Sequence, residues 1–252
     1  MIYNSIVIVL YSILIIESIV AVQMSSSIKI PTKIKCILWD VDGTLSDSFQ
    51  LGFSSTKIVL NNNGIKDITE NEYHQGTKYT TPRRLAWHVT GNPDDAVGIS
   101  LGREFDELYV KLVSTKTAPL YPGMLDLLNK LLEKNKSLKY GALSNACGGY
   151  VRAVCSVNDL DSKFLVKYGA DDVPAAKPSP SGLLCICRYL NLETNECIYI
   201  GDSPSDGQAA TAADMYSIGV TWGSHPVDTV QPAFSKTVFS ISELESYLLS
   251  FI

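Results

Sequence analysis

The apolar run Ile34–Trp39 ends abruptly in Asp40-Val41-Asp42-Gly43-Thr44, and no other stretch constrains the fold as tightly. A short apolar block that stops at a polar glycine turn has the pattern of a buried strand feeding a loop. Leu138–Leu143 repeats it and ends at Ser144-Asn145, and Cys197–Ile200 repeats it again before Gly201-Asp202. Phe164–Tyr168 reads as one more strand. Between these runs lie helical stretches: one opened by Pro122, with Met124, Leu125, Leu128, Leu131 and Leu132 at helical spacing, then Gly149–Val157, Pro180–Leu190 and Ser205–Ala213. Ser240–Ile252 reads as a final amphipathic helix. Strands alternating with helices predict an α/β fold, a Rossmann-like parallel sheet covered on both faces.

The stretch from about Phe49 to Leu120 breaks this alternation. It has no buried-strand run, and Phe105, Leu108, Tyr109 and Leu112 recur at helical spacing. It is therefore expected to be a helical insertion. The predicted organisation is a core of residues 31–48 and 121–252, with a helical cap of 49–120 between its two parts.

Residues 1–30 are set apart. Ile6 to Val22 is almost wholly apolar, but about 17 residues is marginal for crossing a bilayer, and Glu17 makes it costly. The block suits a signal-peptide core, yet no Lys or Arg precedes it; a start at Met24 is a third reading. The expected location is cytoplasmic, with a secretory or organellar route, or a membrane contact, only if this leader operates. The net charge of −5 offers no field for a polyanion, so nucleic acid is not the expected partner. The six cysteines show no paired zinc spacing and are expected to be buried, reduced thiols.

The chemistry gathers at strand ends. In an open parallel sheet the carboxyl edge is where ligands bind. There the sequence places Asp40-x-Asp42-Gly43-Thr44, Ser144-Asn145 and Gly201-Asp202-Ser-Pro-Ser-Asp206, with Lys177-Pro178 in a loop. Singly, each is an ordinary turn, cap or surface lysine. Jointly they offer three hard oxygen donors, suited to Mg²⁺, with cations and N–H groups for a phosphoryl group. The three histidines, His74, His88 and His225, are far apart in sequence and form no competing metal motif.

In this order, over about Ile34–Gly223, the four elements resemble the four motifs of the haloacid dehalogenase superfamily. The resemblance implies a phosphatase in which Asp40 is the nucleophile and forms an aspartyl-phosphate. It makes Asp42 the acid that protonates the leaving oxygen and then the base for water. It implies Mg²⁺ held by the Asp40 and Asp202 carboxylates and the Asp42 main-chain carbonyl, with Asp206 supporting the metal's waters or orienting Lys177. Ser144, Asn145, Lys177 and Gly43 would bind the phosphoryl group.

The substrate implied is a small phosphorylated metabolite. The cap carries Lys78, Arg83, Arg84 and His88, with Thr80, Thr81 and Trp87 among them. They are read either as a solvated helix face or as a patch gripping a second anion of the substrate. Tyr121-Pro122-Gly123-Met124 and Gly219-Val220-Thr221-Trp222-Gly223 resemble the phosphoglycolate phosphatase branch, which points to 2-phosphoglycolate. Sugar-phosphate phosphatases and the β-phosphoglucomutase branch remain alternatives, and a non-catalytic phosphate-binding protein is the alternative of another class.

Overall fold

The computed structural model describes residues 28–252, so the leader reading of residues 1–23 lies outside them. Ile28 and Ile30, just inside, pack against the core. Six parallel strands form one sheet: β1 (Cys36–Trp39), β2 (Lys139–Leu143), β3 (Phe164–Tyr168), β4 (Cys197–Gly201), β5 (Tyr216–Val220) and β6 (Lys236–Val238), in the order β3-β2-β1-β4-β5-β6. The chain thus builds outward from β1 on one side, then returns to β1's other side with β4. This is where strand order reverses, and where a crevice opens at the carboxyl edge.

Alternate residues of a strand face opposite sides. Ile37 and Trp39 point into one core with Leu127, Leu128 and Leu131 of α5 (Met124–Lys134), Val151 and Val154 of α6 (Gly148–Val157), and Leu244 and Leu248 of α10 (Ile241–Leu249). Cys36 and Leu38 point into the other, against Leu183 and Ile186 of α7 (Ser181–Leu190) and Ala209 and Ala210 of α8 (Pro204–Ala212). A short α9 (Val227–Val230) follows β5. Burial on both faces explains the near-continuous apolar strands. The α/β prediction is borne out, and the four predicted strands match to within two residues at each end. Strands β5 and β6 were not predicted. β5 contains Ser217 and Gly219, and β6 is three residues long, so neither shows an apolar run.

Between β1 and α5 lie only helices: α1 (Phe49–Asn62), α2 (Glu70–Gly76), α3 (Thr81–Thr90) and α4 (Val97–Leu112). α3 and α4 pack closely because Gly98 has no side chain; a Cβ there would fall 2.1 Å from the Pro82 carbonyl oxygen. Two strands of chain join this cap to the core side by side. Asp47 N–H donates to Pro119 O at 2.9 Å, and Tyr121 N–H to Leu45 O at 3.0 Å. Among the described residues no helix is long and apolar enough to cross a membrane. All six cysteines are free; Cys36, Cys155, Cys187 and Cys197 are buried, and Cys147 and Cys185 half-buried.

Candidate active site

Strand register assembles the site. Trp39 lies level with Ala142 of β2 and Ile200 of β4. Asp40, Ser144 and Asp202 therefore leave three adjacent strands at one edge, and Asp40 N–H stays tied to Ile200 O at 2.8 Å. Asp40, Lys177, Asp202 and Asp206 are all buried there. Lys177 Nζ lies 2.6 Å from Asp40 Oδ1 and 2.6 Å from Asp206 Oδ1, and also donates to Tyr199 Oη at 2.9 Å and Leu143 O at 3.1 Å. Asn145 fixes the loop that carries this lysine. Its Nδ2 donates to Lys177 O at 3.0 Å and its Oδ1 accepts from Lys177 N–H at 2.9 Å.

Asp202 is held close against the turn after β1. Gly43 has φ +75°, and a Cβ there would sit 2.4 Å from Asp202 Oδ2. Only glycine gives both the left-handed turn and the room for the carboxylate. Ser224 N–H donates to Asp202 Oδ2 at 3.2 Å. Ser203 and Asp206 form a capping box at the start of α8, which directs Asp206's other oxygen to Lys177.

Carboxylates of Asp40, Asp202 and Asp206 offer oxygens that all lie within 4.8 Å of one another. Burial, with the negative charge of Asp206, pushes Asp40 up to about 8 against the pull of Lys177. Burial and the charges of Asp40 and Asp206 raise Asp202 well above the usual carboxylate range. For Asp206 burial also opposes ionisation, but Lys177 and Ser203 outweigh it and hold the group below its ordinary value. Lys177 is raised: burial disfavours its charge, but Asp206 and Asp40 overcome that. Ionising all three carboxylates against one ammonium would leave two negative charges in a buried cluster, which is why Asp40 and Asp202 hold their protons so strongly. A divalent cation bound by hard oxygens fits both the charge and the donor set.

Asp42 faces elsewhere. Its Oδ1 accepts from Ser48 at 2.5 Å, Tyr150 at 2.6 Å and Tyr109 at 3.0 Å, and its Oδ2 accepts from Ser144 at 3.0 Å. Its carboxylate stands outside the cluster of the other three, at the floor of a cavity of about 450 Å³.

That cavity runs from Asp40 and Lys177 up to the cap, where Arg84 lines it. Arg84 is buried, with its guanidinium 4.9 Å from the Tyr73 ring and 4.6 Å from the Phe105 ring. Its Nη1 donates to Thr56 Oγ1 at 2.7 Å, and no carboxylate pairs with it among the described residues. The neighbouring cations are placed differently. Arg83 is half-exposed and pairs with Asp94 at 2.9 Å, outside the cavity. His88 lies behind the cavity wall, stacked on Tyr73 at 6.4 Å; burial pushes it down to about 4, with Arg84 adding to the effect, so it is neutral. Lys78 sits over the rings of Tyr79 and Trp87.

Several residues in or beside the cavity carried no signal in the sequence as parts of a site. Tyr73 and Thr56 approach Arg84 from other helices, and Tyr150 reaches Asp42 across more than a hundred residues. His74 and His225, distant in sequence, have ring centroids 5.7 Å apart at the cavity edge. Tyr109 was visible only as one apolar position of a helix face.

With this geometry established, similarity to known proteins adds the family. A phosphoglycolate phosphatase of Shigella boydii is 28% identical over 222 residues, covering 79% of this chain and 87% of the relative. One from Nitrosococcus oceani is 27% identical, covering 84% and 95%. A structure from Bacteroides fragilis described as haloacid dehalogenase-like superposes with a TM-score of 0.74 at 26% identity, over 84% of this chain and all of that one. The family model of the haloacid dehalogenase-like hydrolases matches residues 37–220, from β1 through β5, and the chain belongs to that family.

Proposed function

We propose that the protein is a magnesium-dependent phosphatase acting on a small phosphomonoester that bears a second anionic group, with 2-phosphoglycolate as the substrate that fits best. One observation carries this reading: a single cavity has Asp40 and Lys177 at one end and the carboxylate-free Arg84 at the other. The phosphoglycolate phosphatases among the relatives support it independently.

Asp40 attacks the phosphorus, giving an aspartyl-phosphate, and Asp42 hands a proton to the departing alkoxide. Asp42 then takes a proton from the water that cleaves the intermediate. Lys177 and Ser144 donate to the phosphoryl oxygens, with the Asn145 side chain holding the Lys177 loop. Asp40, Asp202 and the Asp42 main-chain carbonyl would hold Mg²⁺, with Asp206 beside them. Bound there, the ion supplies positive charge to the phosphoryl oxygens. The cap residues over the cavity keep bulk water away, and Arg84 pairs with the substrate carboxylate.

The test is kcat/KM with Mg²⁺ across 2-phosphoglycolate, hexose phosphates, sugar bisphosphates, nucleoside monophosphates and pyrophosphate. The reading expects 2-phosphoglycolate to lead. A best substrate with no anion beyond its phosphoryl group would overturn it.

A further inference from the structure

The four hydroxyls on Asp42 do not come from one place. Ser48 belongs to the chain entering the cap, Ser144 to the end of β2, Tyr150 to core helix α6 and Tyr109 to cap helix α4. Both tyrosines are buried, and their rings stack with centroids 4.1 Å apart and planes 15° from parallel. The stack spans core and cap, and its two hydroxyls converge on a single carboxylate oxygen. The three donors on Oδ1 fix that carboxylate's rotation even when Ser144 turns its single proton to a phosphoryl oxygen, and an acid–base group needs such fixing to meet its proton partner.

Tyr109 has a second connection. Phe105, one turn earlier on α4, has its ring centroid 4.8 Å from that of Tyr109, and its ring also lies 4.6 Å from the Arg84 guanidinium. Arg84, Phe105, Tyr109 and Asp42 are thus in unbroken contact from one end of the cavity to the other. We propose that Tyr109 is a positioning residue for Asp42, and that through Phe105 it ties the orientation of Asp42 to the occupation of Arg84. This rests on the reading of Asp42 as acid and base. It goes beyond it by making the substrate's second anion act on turnover as well as on binding.

The experiment uses Tyr109→Phe, which removes one hydroxyl and keeps the ring stack, with thermal melting to establish folding. Tyr150→Phe, from the core side, gives a second probe should the first not fold. For both, kcat and KM are measured on 2-phosphoglycolate and on p-nitrophenyl phosphate, whose leaving group departs without a proton. General acid catalysis contributes about 100-fold or more, so misplacing the acid should lower kcat on 2-phosphoglycolate by roughly tenfold, with KM changed less than about twofold. The loss in kcat/KM on p-nitrophenyl phosphate should be at most about a third as large. In an Arg84→Ala background the added loss from Tyr109→Phe should shrink to under about threefold, since coupled residues are not additive. Equal losses on the two esters, a change in KM alone, or full additivity with Arg84→Ala would each overturn the proposal. Activity surviving in Asp40→Asn would instead overturn the underlying phosphatase mechanism, so the two failures are distinguishable.

Discussion

The ammonium of Lys177 lies 2.6 Å from the Asp40 carboxylate, with both side chains almost wholly removed from water. Lys177 bridges to Asp206 at the same distance, so one buried cation serves two acids, one just past the end of β1 and one in the first turn of α8. Removing one member of a buried ion pair leaves an uncompensated charge, which costs about 3–5 kcal/mol. Lys177→Met is expected to lower stability by an amount of that order and to abolish turnover. Urea denaturation without metal measures the first. A variant as stable as the parent would mean that the pair contributes little.

Metal should stabilise the fold as well as support turnover. The cluster of Asp40, Asp202 and Asp206 resists ionisation in its buried space, and a divalent cation would supply the charge that full ionisation lacks. Saturation at a hundred times the dissociation constant adds about 2.7 kcal/mol, and EDTA should remove that gain together with activity. Asp202→Asn should erase the Mg²⁺-dependent shift in melting temperature. An undiminished shift in that variant would place the ion elsewhere.

Arg83 and Arg84 are adjacent in sequence but face different surroundings. Arg84→Ala should raise KM for 2-phosphoglycolate by at least about tenfold, since a charge-assisted contact is worth roughly 1.5–3 kcal/mol. Arg83→Ala breaks an exposed pair with Asp94 and a contact with the Tyr79 ring at 5.5 Å, and should change kinetics less than about twofold. Steady-state kinetics on both variants decide the matter; equal effects would contradict the assignment.

Asp106, on α4, has a buried Oδ1 without a hydrogen-bond partner. Burial, with the charge of Asp171, pushes its carboxyl up from 3.8 to about 6. The native state therefore binds this proton more tightly than the unfolded chain does. Its stabilising effect is complete below about pH 4 and is lost as pH rises through about 6. Asp106→Asn should remove this fall and be more stable than the parent at pH 7, by no more than about 3 kcal/mol, a rise of about two pKa units being worth 1.36 kcal/mol each. Parallel stability curves for parent and variant between pH 4 and 7 would exclude the effect.

The sheet and the acids were legible before the structure because they depend on local pattern. A strand buried on both faces must be apolar, so its polar end announces the loop where ligands bind, as at Trp39-Asp40 and Leu143-Ser144. The edge strand β6 lacks that pattern because it is only three residues long. The cap was legible as helices but not as a binding wall. Helical spacing puts Arg84 and His88 on one face, and both do meet Tyr73, yet only the tertiary packing sends Arg84 into the cavity and leaves His88 behind it. The tyrosine hydroxyls around Asp42 were invisible for the same reason: Tyr109 and Tyr150 meet there only after cap and core are joined.

In the proposed mechanism Asp40 receives the phosphoryl group. Acid-quenching the Mg²⁺-loaded protein in the first turnover of 2-phosphoglycolate, then mapping peptides by mass spectrometry, measures this directly. One added phosphoryl group is expected on the peptide containing Asp40, formed at least as fast as steady-state turnover and absent in Asp40→Asn. Undiminished turnover in Asp40→Asn, or a phosphoryl group found on another residue, would contradict it.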